Sequence, residues 1–527
     1  MCNIGKIKLG TMAVFAMFFL RVGANQNRVQ INIEEMSIIQ MQQLMDSGAI
    51  TSQQLVEKYL YRIKTIDGKL NSILELNPDA MAIAKQMDEE RANGKVRSAM
   101  HGIPFVIKDN IETADKMKTT AGSLALLDAP VPKEDAFIVQ QLRSSGAVLL
   151  GKSNLSEWAN FRSESSSSGW SGRGGQTRNP YILDRSPCGS SSGSGVAVSA
   201  NLIAVAVGTE TDGSIICPSS INGIVGIKPT LGLISRSGII PLAHSQDTAG
   251  PMARTVTDAA IMLQAMVAED DNDNVNLSKK GDIDFNIDYT KSLVDGGLKG
   301  ARIGVARQYF GRNEKLDKIM ESQLKIMQQK GAILIDVEFP DLNNFGDAEY
   351  EVLLYEFKHD LNHYLKNRGG EYNSLQKLID FNSKHADKEM PYFNQEIFVK
   401  AQAKGELTEE AYLKSLKKSK YLSQEKSIDL IMNNHKLDAI VAPSNTPSWM
   451  IDLIYGDNFG GFVSSSSLAA VSGYASITVP SGFIKEMPIG LSFIAGAYSE
   501  ATLIKIAYAW EQASKARQKP KLLETYK

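Results

Sequence analysis

Apolar residues recur along this chain at two periods. Ile38, Met41, Leu44 and Met45 fall three and four apart, as do Leu55, Tyr59 and Ile63 behind Thr51-Ser52, a pair suited to capping a helix. Helices are therefore expected in the lead-in after Asn25. The pattern then changes. Gly102-Ile-Pro-Phe-Val-Ile-Lys-Asp109 is a continuous apolar run that closes on charge, the mark of a buried strand. Phe137 to Ser145 returns to helical spacing, and Gly146-Ala-Val-Leu-Leu-Gly151 reads as a second strand. Such alternation predicts an α/β fold. Asn201-Leu-Ile-Ala-Val-Ala-Val207 reads as a further buried strand, emptying into Gly208-Thr-Glu-Thr-Asp-Gly-Ser-Ile-Ile-Cys-Pro218. That turn carries an acid, a glycine and a serine at its tip. Residues 345–435 are charged and helical, an inserted layer. Strand character resumes at 437–442, 476–479 and 489–494.

The N-terminus changes the picture. Lys6 and Lys8 precede a 12-residue apolar segment, Leu9 to Leu20, followed by the small residues of Val22-Gly-Ala24. This has the form of a secretory signal peptide over residues 1–24, leaving 25–527 as the exported chain, periplasmic or secreted. The segment is shorter than the ~20 residues of a membrane span, and no later segment reads as one. With 57 basic against 59 acidic residues and no basic stripe, nothing points to a nucleic-acid partner. Cys2 falls in the leader. Cys188 and Cys217 remain, too few for a disulfide framework, and the sequence leaves open whether they pair.

Residues 163–195 are rich in glycine and serine, a composition shared by flexible linkers. Trp170, Arg173, Arg178 and Tyr181 interleave the small residues, and the run feeds directly into the apolar segment Val196 to Ile203. An ordered, tightly packed loop leading into a buried helix is the better reading.

Histidine chemistry has little support. Six histidines stand at 101, 244, 359, 363, 385 and 435, with no nucleophile-elbow context for a serine. His359 and His363 share a helical face, but no third ligand is signalled, so a solvated face is expected rather than a metal site. A cysteine nucleophile would have to be Cys188 or Cys217, by default only. Near predicted strand ends the polar groups are Lys108, Ser190 and Ser214. A serine hydroxyl needs a base to take its proton. Lysine serves only when neutral, and burial can lower its ordinary value of ~10.4 by several units. A Ser–Ser–Lys relay is one arrangement. A surface pair between Lys108 and Asp109 is the other.

Several motifs, in order, resemble the amidase signature family: Gly102 to Asn110, Gly151 to Arg162, Gly169 to Tyr181, the Cys188-Gly-Ser-Ser-Ser-Gly-Ser-Gly195 run, the Gly208 to Pro218 turn, Asp247 to Arg254 and Ala470 to Pro480. The resemblance runs from about residue 33 to the end and is weakest across 270–435. Asp212-Gly-Ser-Ile-Ile216, Glu210, Cys188 and Ser192 depart from the commoner pattern, and this combination is similar to bacterial peptide amidases. The resemblance implies one large α/β domain, a mixed β-sheet with helices on both faces, and a site at a sheet edge among glycine-serine loops. The helical segment at about 345–435 would shape the pocket. Lys108 would be the base, Ser190 the bridging serine held through a cis peptide, and Ser214 the nucleophile. The N–H groups of Thr211, Asp212, Gly213 and Ser214 would receive the oxyanion. The Asp212 side chain is expected to cap the next short helix. The implied reaction hydrolyses a primary amide to carboxylate and ammonia through an acyl-enzyme, on the C-terminal amide of peptides. No metal, cofactor or obligate partner subunit is implied. Fatty or aryl amides, an ammonia-supplying subunit of a transamidase, and a non-catalytic binding protein on the same fold are the competing readings.

Overall fold

Among the described residues thirteen strands form, in chain order β1 Ile73–Leu76, β2 Pro104–Lys108, β3 Val148–Ser153, β4 Trp170–Ser171, β5 Gly175–Gln176, β6 Val205–Glu210, β7 Val225–Lys228, β8 Thr248–Ala253, β9 Arg302–Ala306, β10 Ile333–Val337, β11 Ala439–Pro443, β12 Ser476–Ile484 and β13 Met487–Ile494. The short pair β4–β5 stands alone, and the other eleven make one mixed sheet in the order β1-β3-β2-β6-β8-β7-β12-β13-β11-β9-β10. β3, β2 and β6 run parallel, so their carboxyl ends emerge together. At β8 the ladder turns antiparallel and stays so through β7, β12, β13 and β11. Every residue of β2, β3, β6 and β8 is buried, which is why these segments read as continuous runs rather than alternating ones.

Helices cover the sheet. Val256–Met266, Glu314–Gln329 and Glu500–Ser514 pack on its strands, with Glu500–Ser514 touching the other two, while Ser192–Ser199 and Ile216–Ile221 pack together over β2, β3, β6, β7, β12 and β13. This computed structural model describes residues 31–278, 281, 283–340, 345–458 and 460–526. The signal-peptide reading lies outside the described residues. Ile33–Lys527 form one compact unit. No helix among the described residues is long and apolar enough to cross a membrane.

The lead-in helices form where their spacing predicts, Ile38–Asp46 behind Ser37 and Ser52–Ile66 behind Thr51, each closed by a capping box with a glutamine. The helix expected over Val196 to Ile203 instead occupies Ser192–Ser199, one turn earlier. The serine run supplies its first turn, and Asn201, left-handed at φ 58°, ends it. β6 accordingly starts at Val205, not Asn201. The charged segment is built of successive helices joined by short loops, led by Phe345–Arg368. β1, β4, β5, β7, β8, β9 and β10 were not read from the pattern.

Candidate active site

The site is expected at a sheet edge, and the structure corrects this. It sits at the carboxyl ends of β2 and β6, third and fourth of eleven strands, where the ladder changes from parallel to antiparallel. Open α/β sheets place ligands outside such strand ends.

Lys108 is the last residue of β2 and is fully buried. Its Nζ donates to Ser190 Oγ at 2.7 Å and to Thr209 Oγ1 at 2.8 Å, and it lies 3.3 Å from the Thr209 carbonyl. Burial pulls the Lys108 ammonium down from the usual 10.5 to about 7, against the opposing charges of Asp247 and Glu210. The lysine is thus poised between its two protonation states near neutrality. The surface pairing with Asp109 does not occur. Asp109 turns instead to Arg173 at 3.2 Å and to the Gly122 N–H at 3.2 Å.

The glycine-serine run is ordered, and its hydroxyls show why. Ser191 Oγ donates to the Thr209 carbonyl at 3.0 Å and accepts the Thr209 N–H at 3.1 Å. Ser194 Oγ bonds the Val207 carbonyl at 3.0 Å and Ser153 Oγ at 2.8 Å. Ser192 Oγ reaches the Cys188 carbonyl at 2.6 Å. Together they stitch the helix start onto β3 and β6. At Gly193 a Cβ would stand 2.3 Å from the Ser72 carbonyl oxygen, so no larger residue fits there. The peptide bond Gly189–Ser190 is cis, as the resemblance implies.

The turn after β6 completes the arrangement. Gly213 is left-handed at φ 74°, and Ser214 follows, 8 % exposed. The Ser191 N–H donates to the Ser214 carbonyl at 3.2 Å, which sets the serine run beside the turn. Lys108 and Ser190 are therefore joined directly, whereas Ser214 joins them through the backbone and not through its hydroxyl. The N–H groups of Asp212, Gly213 and Ser214 find no acceptor among the described residues. Donors left without an acceptor beside Ser214 can serve a developing oxyanion.

The helix cap expected of Asp212 belongs to Glu210. Its Oε2 accepts the Ile215 N–H at 2.7 Å and the Ile216 N–H at 2.9 Å, at the start of helix Ile216–Ile221. The Asp212 carboxylate accepts instead from Ser466 Oγ at 2.9 Å. Cys188 and Cys217 are bonded to each other. One precedes Gly189-Ser190 and the other follows Ser214 by three residues, so the bond clamps the serine run to the turn. Neither cysteine offers a thiolate nucleophile.

Residues that the sequence reading missed complete the site. Thr209 holds Lys108 and accepts from Asn110 Nδ2 at 3.0 Å. Asp247 accepts Thr211 Oγ1 at 2.6 Å and the N–H groups of Leu242 and Ala243 at 2.7 and 2.9 Å. Burial raises the Asp247 carboxyl to about 6. An acid standing a few residues before a Gly-Pro was a visible signal, but not one that gave its partner.

A cavity of about 710 Å³ opens onto Asn110, Thr209 and Thr211. Trp158, Ile240, Leu242 and Leu407 give it apolar walls. Phe357, Asp360, Tyr364 and Asn367 line another side, one stripe of helix Phe345–Arg368 at helical spacing. The helical insert does shape the pocket. His359 and His363 face it too, each occupied locally: His359 Nδ1 with Asp360 at 2.8 Å, His363 Nε2 with Asn367 at 2.8 Å. A different trio, His244, Glu356 and Asp360, clusters closely enough for a metal. Its atoms are already spoken for: His244 Nδ1 bonds Asp360 at 2.8 Å, and Glu356 accepts from Tyr412 at 2.7 Å and from the Ser245 N–H at 2.9 Å. It is a hydrogen-bonded brace between the Ile239–Asp247 segment and the insert.

The chain is similar to known proteins along almost its whole length. It is 45% identical to the native peptide amidase of Stenotrophomonas maltophilia, whose structure superposes with TM-score 0.88 over 93% of this chain and 99% of that one. A probable amidase of Arabidopsis thaliana is 40% identical, covering 93% of this chain and 92% of the relative. A putative amidase of Schizosaccharomyces pombe is 39% identical, covering 94% and 88%. The amidase family profile matches residues 54–504, a span that takes in every element around Lys108 and the serine run. On these grounds the chain belongs to the amidase signature family, and it is an amidase.

Proposed function

We propose that the protein hydrolyses primary amides, the C-terminal amide of peptides in particular, with Lys108, Ser190 and Ser214 as its catalytic groups. The observation that carries this reading is the fully buried Lys108, drawn to about 7 and held 2.7 Å from Ser190 Oγ. Neutral Lys108 accepts a proton from Ser190 as Ser190 takes one from Ser214, whose Oγ attacks the amide carbonyl. This passage needs the two serine hydroxyls to meet in the substrate complex, where catalytic contacts tighten. The oxyanion accepts from the N–H groups of Thr211, Asp212, Gly213 and Ser214. Such donors are worth about 3 kcal/mol each in other hydrolases. On collapse the C–N bond breaks, and the relay returns its proton to the departing ammonia. Water then attacks the acyl-enzyme, gives a proton to the same relay, and restores Ser214.

The peptide preference rests on the likeness to the Stenotrophomonas peptide amidase and on a cavity large enough for a residue or two, with apolar walls at Trp158, Ile240 and Leu242. We also assign the chain to an exported location on its N-terminal pattern. The test is ammonia release from a C-terminally amidated dipeptide with an apolar last residue. Wild type should release ammonia, and Ser214→Ala and Lys108→Ala, both folded, should not. Release by Ser214→Ala at near wild-type rate would overturn the mechanism. Release only from fatty or aryl amides would overturn the substrate class.

A further inference from the structure

Glu349 has no part in the relay, yet it reaches the turn that carries Ser214. It lies in the first part of helix Phe345–Arg368, 8 % exposed. Gln246 Nε2 donates both to Glu349 Oε1 at 3.0 Å and to the Thr211 carbonyl at 3.2 Å. The Glu349 carboxyl is itself hydrogen-bonded to that of Asp212. Two carboxyl groups bond only if one keeps its proton. Glu349 is the one: burial and the neighbouring Asp212 charge hold it well above the usual carboxylate range. Asp212, raised by burial, is drawn back by Ser467, Ser466 and Glu349, and stays the acceptor. The charged and titratable groups that face the pair are Lys228 on β7, Lys420 on helix Glu410–Ser423, and Tyr309 after β9, with Glu210 behind the turn.

Thr211 and Asp212 are therefore held from the insert by one residue through two routes. We propose that Glu349 is a positioning residue for acyl transfer: by its bond to Asp212, and through Gln246 to the Thr211 carbonyl, it aims the N–H groups of the turn at the oxyanion. The inference rests on Ser214 being the nucleophile. The oxyanion is absent from the ground-state complex and develops only on attack, so misaimed donors cost kcat and leave KM.

The experiment compares wild type, Glu349→Met and Glu349→Gln, with Ser214→Ala in the same ammonia-release assay. Glutamine keeps both links, since its carbonyl can accept from Gln246 and its amide can donate to Asp212. Methionine keeps the volume and loses both. The expected result is a kcat lowered tenfold or more in Glu349→Met at unchanged KM, and restored to within threefold in Glu349→Gln. As pH rises far enough to strip the shared proton, wild type should lose kcat while Glu349→Gln does not. A Glu349→Met enzyme with wild-type kcat overturns the inference, and so does a Glu349→Gln enzyme as slow as Glu349→Met. If Glu349→Met does not fold, Glu349→Gln decides alone, and a tenfold loss of kcat at unchanged KM and melting temperature overturns it. Activity in Ser214→Ala would sink the underlying mechanism instead, and that outcome is read separately.

Discussion

Raising the pH should switch the enzyme on near neutrality, and the buried Lys108 fixes where. With the amine at about 7, its neutral fraction is about one-tenth at pH 6 and about nine-tenths at pH 8. kcat/KM for ammonia release should rise roughly tenfold between those values and then level off, until the pH is high enough to strip the proton shared by Glu349 and Asp212. At the ordinary 10.5 the neutral fraction at pH 7 would be about three in ten thousand, and the rise would continue past pH 9. The same burial weakens the fold. Below about pH 7 the native state must keep a charge in a dry site that the unfolded chain keeps in water. At about 1.4 kcal/mol per pH unit between about 7 and 10.5, the cost approaches 5 kcal/mol. It is fully present below the folded value and relieved as pH climbs to 10.5. Lys108→Met removes the cost and loses hydrogen bonds to Ser190 and Thr209, about 1–1.5 kcal/mol apiece. The methionine variant should be inactive yet more stable at pH 7 by about 2 kcal/mol, an advantage that disappears by pH 10.5. Denaturant unfolding at both pH values reads this directly. An activity midpoint above pH 9, or a methionine variant less stable than wild type at pH 7, would refute the reasoning.

Glu210→Ala should remove the cap on Ile215 and Ile216, lower stability by about 1–2 kcal/mol in denaturant unfolding, and reduce kcat more than KM, because the freed turn carries Ser214. At His244, burial alone would lower the imidazole, but the Asp360 bond and the Glu356 and Asp360 charges together raise it. Its stabilisation is thus complete below the unfolded value of about 6.5 and lost as pH rises through the folded one. The melting-temperature advantage of wild type over His244→Asn should be larger at pH 6 than at pH 9. Leu407→Trp narrows the cavity wall, so steady-state kinetics on amidated dipeptides should show a KM raised several-fold at unchanged kcat.

Lys108 was legible because an unbroken apolar run that closes on charge has few readings other than a buried strand end. The order of the glycine-serine segment was legible from the tryptophan, arginines and tyrosine within it. What stitches that segment was not, because Ser191 and Ser194 bond carbonyls on β6 and no local pattern announces a strand partner. The sheet-edge expectation failed for the same reason. β8 inserts between β6 and β7, and strand order is decided by pairings far apart in sequence. The cap passed from Asp212 to Glu210 because β6 runs on to residue 210, leaving that side chain, rather than one two residues later, beneath the helix start. Glu349 lay in a segment read only as charged and helical, and its partner is more than a hundred residues away.

The bond between Cys188 and Cys217 encloses both serines of the proposed relay in a single covalent loop, its ends 29 positions apart in the chain. A closure of that length removes unfolded-chain freedom worth about 3–4 kcal/mol. It also acts on partial opening: if the strand ends fray, Ser190 and Ser214 still cannot drift apart by more than the loop permits. The relay therefore has a tether independent of the sheet that supports it. Breaking that bond alone would free the serine run from the turn while leaving every strand pairing in place.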